Sequence, residues 1–152
     1  MTLYTALKLL HIVLVAVAVG FNVSYGIWLA RAGRQPDHLA WTLRGIKILD
    51  DRFANPAYGL LLITGIAMVF VGGYPLTTFW IDAAIVVYVL LVLMAIFLYS
   101  PALREQIATL DRHGVESPEY RSVASRARIT GIAVVIPVLI ILYLMVFKPQ
   151  PL

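Results

Sequence analysis

Four stretches of this chain are apolar for about the thickness of a bilayer, and that leaves few folds open. They cover residues 3–30, 57–72, 79–99 and 129–147. A membrane span needs about 20 mostly apolar residues, and in hydrocarbon a single segment satisfies its own backbone only as a helix. Of the 152 residues 61% are hydrophobic and 13% charged, whereas soluble domains carry about a quarter charged. The expectation is one all-α integral membrane domain over residues 1–152, a four-helix bundle set in a lipid bilayer. The first stretch has a long apolar run and no basic segment ahead of it, so it reads as a span rather than a cleaved signal peptide. No cysteine is present, which excludes disulfides, thiolate metal sites and a cysteine nucleophile.

The charges give the orientation. Arg31, Arg34, Arg44, Lys47 and Arg52 fall in the connection 31–56, and Arg104, Arg112, Arg121, Arg126 and Arg128 in the connection 100–128. Only Lys8 and Lys148 remain for the other side. By the positive-inside rule the two basic loops are cytoplasmic and both termini face out. The net charge of +4 therefore reports topology, and nucleic acid is not an expected partner.

Short amphipathic helices are expected in both loops. Leu39, Leu43, Ile46 and Leu49 recur at helical spacing, which suggests a helix lying on the membrane surface. Residues 100–114 read as an extension of the third span ending at Gly114. The next helix restarts with Ser117 as N-cap, Pro118 in the first turn and Glu119 behind it. Asn55-Pro56 reads as the start of the second span's helix, and Ser100-Pro101 as the point where the third span stops and its extension begins. Asp50 and Asp51, beside Arg52, read as a surface ion pair. Pro137 should kink the fourth helix.

The first span, "LKLLHIVLVAVAVGFNVSYG", carries Lys8, His11 and Asn22. At about 100° per residue these fall on one stripe with Tyr4, Val15, Ala18 and Tyr25, so that side should face protein or water. Ala16, Gly20 and Ser24 form a small-xxx-small run on the opposite side, where a second helix or a second copy of the chain could approach closely. Asp82, the one acidic residue inside a span, enters the third helix from the same side of the membrane as Lys8 and His11. Pairing with either would lower the cost of all three; the alternative is that Lys8 snorkels and Asp82 sits among headgroups. His11 itself admits three roles: a hydrogen-bonded packing residue, a member of a proton relay, or an axial haem ligand. His38 and His113 lie in the loops and cannot join it, so a multi-histidine metal cluster is excluded.

These residues also carry a resemblance. "LKLLHIVLVAVAVG" followed by "NPAYGLLLITGIAMVFVGGYPLTTFWIDAAIVVYVL" is similar to a bacterial family of predicted integral membrane proteins of unknown function (DUF2269-like), over nearly the whole chain. More distantly it resembles the HemJ-type protoporphyrinogen oxidases and the CopD family of copper-resistance proteins. HemJ-type proteins open on a similar "LK-x-LHI", carry "LLTG" in the second helix, and start the third with "W-L-x-A-K". His11 matches the histidine of the opening, and "LITG" at residues 62–65 matches the second motif. The resemblance implies the bacterial inner membrane and haem b held by His11. It does not carry the oxidase activity, because Ala84 stands where that pattern has its lysine and the family's later histidine has no counterpart. If haem binds, Met68 and Met145 are the candidate second ligands at His11's depth, with Met94 nearer the cytoplasm. No metal beyond haem iron is expected.

Three functions stay open: a haem-binding or redox membrane protein, a small transporter or channel, and an accessory subunit working through a homodimer or a membrane-protein partner. Paired carboxylates, a phosphate loop and a nucleophile–base pair are all lacking, so the sequence names no reaction.

Overall fold

The computed structural model describes residues 2–33 and 36–150. Among these there is helix and no strand, and four helices are long and apolar enough to cross a membrane. The chain divides into two compact units, residues 1–75 and 76–152.

In the first unit α1 (Leu3–Ala32) is a single helix. Thr2 caps it, accepting the Thr5 N–H at 3.2 Å, and Gly33 ends it. At about 1.5 Å per residue its 30 residues reach roughly 45 Å, longer than the ~30 Å hydrocarbon core. Against it runs a second rod, α2 (Pro36–Leu49), a π-helical turn (Asp50–Ala54) and α3 (Asn55–Val71). From His38 to Val71 this rod is continuous.

That continuity corrects two expectations. Asn55-Pro56 does not start a helix; the helix passes through it. Pro56 has no N–H to give to the carbonyl four residues back, and the turn widens just before it, with the Asn55 N–H bonding the Asp50 carbonyl. Nor is the apolar face of α2 left open for a membrane surface. Leu39, Leu43 and Ile46 are buried in a helix that packs on α1 and the following turn. The amphipathic face was real, but its apolar side is spent on another helix.

The second unit shows the same device. α4 (Phe79–Met94) passes through a π-helical turn (Ala95–Tyr99) into α5 (Ser100–His113). The wide turn again precedes a proline, here Pro101, with the Ser100 N–H bonding the Ala95 carbonyl. The helix therefore runs on past Ser100-Pro101, as the extension expected to end at Gly114, whose φ of +77° suits glycine. Ser117 caps α6 (Pro118–Ala133), accepting the Tyr120 N–H at 3.1 Å. The break at Val134, before α7 (Val135–Phe147), lies one turn ahead of Pro137, as expected of a kink.

In this unit α4 packs on α7 and α5 on α6. Trp80, Ile81, Ala84 and Leu91 are buried along α4, and Pro137 and Leu144 along α7. Gln106 donates to the Tyr120 hydroxyl at 3.1 Å, while Arg126 and Glu105 form an exposed ion pair. The Lys148 ammonium lies 5.2 Å from the Trp80 ring centre, a cation–π contact at the end of the α4–α7 pair.

Candidate functional site

The α1–α3 seam is built on a stripe repeating every three to four residues of each helix. Leu14 and Ala18 of α1 and Ala57 and Leu61 of α3 form its apolar centre, with Val15, Val17 and Tyr58 packed around them. On the Asn22 side of that centre, Asn22 Nδ2 donates to the Ala18 carbonyl at 2.8 Å and to the Tyr58 hydroxyl at 3.2 Å. On the other side sits His11.

His11 Nδ1 is 2.8 Å from Thr64 Oγ1. Thr64 is buried, and its hydroxyl lies 2.8 Å from the Leu60 carbonyl and 3.2 Å from that of Leu61. A hydroxyl has one proton, and here two carbonyls, which can only accept, compete for it. With its O–H donated to Leu60, Thr64 Oγ1 faces His11 as an acceptor, which selects the tautomer with the proton on Nδ1. In the neutral ring this puts the lone pair on Nε2. Nε2 has no hydrogen-bond partner among the described residues, and His11 is half-buried rather than enclosed. The next residue of α3 completes the seat. A Cβ built on Gly65 would stand 3.4 Å from His11 Cε1, so the ring rests against the backbone there.

Toward the end of α3 the helices approach more closely still. A Cβ on Gly72 would lie 2.8 Å from the Met68 carbonyl, 2.8 Å from the Tyr74 ring and 2.9 Å from the Tyr4 ring. The Tyr4 and Tyr74 hydroxyls share a hydrogen bond.

The expected site residues divide accordingly. His11 and Asn22 both face α3 and both hydrogen-bond across the seam. Lys8 is exposed. Met68 follows Ala57, Leu61 and Thr64 on one stripe of α3 and is half-buried. Met94, Met145 and Asp82 belong to the second unit; Asp82 is exposed in the first turn of α4. Ala16 and Gly20 are exposed on α1, and nothing lies within 4 Å of a Cβ on Gly20. Ser24, half-buried, turns its hydroxyl to the Phe21 carbonyl at 2.7 Å. No group of three His, Cys, Asp or Glu side chains among the described residues could hold a metal ion.

Asp50 is where sequence reasoning went astray. The ion pair in this segment joins Asp51 to Lys47, not to Arg52, and Asp50 is only 4% exposed. The signal was present: Leu39, Leu43, Ile46, Asp50, Ala54, Ala57 and Leu61 continue one buried stripe through the wide turn. Treating Asn55-Pro56 as a helix start cut that stripe in two and left Asp50 in a loop.

A helical chain with four membrane-length apolar helices and hydrogen-bonded polar side chains along the seam of one pair is an integral membrane protein. Residues 5–149 match the family described as "Predicted integral membrane protein (DUF2269)", and the chain belongs to that family. No curated protein and no solved structure matches it.

Proposed function

We propose that this membrane protein binds haem b, with His11 Nε2 as an axial ligand. The observation that supports this reading is the hydrogen bond from His11 to Thr64. Histidines that ligate metals characteristically donate the other ring N–H to a fixed acceptor, which sets the tautomer and aims the lone pair. Thr64 supplies that acceptor and Gly65 the room beside it. The donor set fits one haem ligand. Met68, one turn beyond Thr64 on the same stripe of α3, is the candidate second ligand. A bound haem would supply one-electron exchange at its iron. What this chain contributes is a single tautomer, a fixed ring plane and a largely apolar setting.

The distribution of basic residues supports a bacterial inner-membrane topology with residues 31–56 and 100–128 cytoplasmic and both termini outside. His11 then lies in the outer part of the bilayer.

A second reading, an accessory subunit, draws on the same contacts differently. His11–Thr64 and Asn22–Tyr58 both join α1 to α3 and would be sufficient as interhelical struts, leaving the Ala16–Gly20–Ser24 face of α1 for a second copy or a partner. Transport through the α1–α3 seam is disfavoured, because Leu14, Ala18, Ala57 and Leu61 close it between its two polar pairs. An absorption spectrum of detergent-purified protein separates the first two readings. Haem binding gives a Soret band that His11→Ala abolishes; a strut gives colourless protein that His11→Ala merely loosens.

A further inference from the structure

Asp50 has no place in the haem reading, and its surroundings are unusual for a carboxylate. It occupies a core position of the α2–α3 stripe, 4% exposed, in the wide turn that packs on α1. Its side chain has one hydrogen-bond partner among the described residues, Asn55 Nδ2 at 3.4 Å, and no ion pair. That single contact is long.

The charges around it do not compensate. Lys47, one turn back, is bound to Asp51. Asp51 adds a like charge next to Asp50, and Arg52 is exposed. From α3 the electrostatically coupled group is the Tyr58 hydroxyl. α1 carries no charged residue between Lys8 and Arg31; its titratable groups there are His11 and the buried Tyr25. A buried carboxylate without a cation costs several kcal/mol or else takes up a proton.

We propose that Asp50 is a buried proton-binding site, a carboxyl whose ionisation loosens the packing of α2 and the wide turn on α1. Protonated, it is a compact polar group that fits a stripe of Leu, Ile and Ala. Ionised, it draws water to the seam, and the wide turn, already lacking a regular hydrogen-bond ladder, is the part of the rod that yields.

Asp50 lies outside the apolar span that begins at Ala57. Burial, first, and then the Asp51 charge push its carboxyl above the ordinary value of 3.8, while Lys47 and the Asn55 hydrogen bond pull weakly the other way. The folded protein thus holds a proton that the unfolded chain releases. The stabilisation is complete below the ordinary carboxylate value and is lost as pH rises through the raised one.

The test uses the full chain in detergent. Infrared difference spectra of wild type against Asp50→Asn should contain a protonated-carboxyl band belonging to Asp50 that persists above the pH at which an exposed aspartate ionises. The wild-type Tm should fall across the raised titration, and Asp50→Asn, which keeps the shape without the charge, should lose that fall. Asp51→Asn should move the titration to lower pH, by removing a like charge and releasing Lys47. Lys47→Gln should move it higher. An Asp50 carboxyl that ionises at or below the ordinary aspartate value overturns the proposal, as does a pH profile unchanged by Asp50→Asn. So does a wild-type Tm raised at pH 7 by sodium, potassium or magnesium chloride but not in Asp50→Asn, since Asp50 would then be a cation ligand.

Discussion

Thr64 Oγ1 is hydrogen-bonded to His11 Nδ1 at 2.8 Å while its own O–H donates to the Leu60 carbonyl of its helix. One hydroxyl therefore does two things: it ties α3 to α1, and it decides which nitrogen of His11 keeps its lone pair.

Thr64→Val keeps the shape and removes the acceptor. The expected cost is about 1 kcal/mol, the usual scale of an interhelical hydrogen bond in a membrane protein. His11→Ala should cost more, because the ring's packing is lost as well. A double-mutant cycle read by thermal unfolding in detergent should return a coupling of about 0.6–2 kcal/mol; strict additivity would mean that the bond contributes nothing to stability.

The glycines of α3 should differ sharply. At Gly72 an added methyl meets the backbone carbonyl of Met68 and the Tyr4 and Tyr74 rings inside 3 Å, and Gly72→Ala should destabilise by about 1–3 kcal/mol, as overpacking does. At Gly65 the nearest atom is His11 Cε1 at 3.4 Å, and Gly65→Ala should fold with near-native stability. Equal Tm losses for the two would contradict the packing described.

The small-residue face of α1 is proposed as a contact between copies. Gly20→Ile would fill it, and nothing lies within 4 Å of a Cβ at that position. If two copies pack there, the mass measured by light scattering should fall from dimer to monomer while Tm changes little. An unchanged mass would remove this face from consideration.

The parts of this fold that were legible in the sequence are those fixed by solvent and periodicity. Four apolar runs dictate four helices, and the stripe through His11, Ala18, Asn22 and Tyr25 marks the side of α1 that meets other helices. Ser117, Gly114 and Pro137 act locally and behaved as local rules require. Pro56 did not, because a proline inside a long helix can be absorbed by a widened turn when packing on both sides holds the rod together. That outcome depends on contacts with α1 that no local pattern encodes. The same misreading hid Asp50. The Thr64 partnership was unreadable for a different reason: the helical stripe placed His11 on a seam, but which α3 residue stands opposite depends on the axial register of two antiparallel helices.

Titrating purified protein with haem b while following the Soret band reads directly whether His11 presents Nε2 to haem iron. Wild type should give a saturable shift at one haem per chain, a shift lost in His11→Ala and weakened in Thr64→Val, where the ring is free to turn and change tautomer. Saturable binding of equal strength in wild type and His11→Ala, or no saturable binding in either, would rule out ligation by His11.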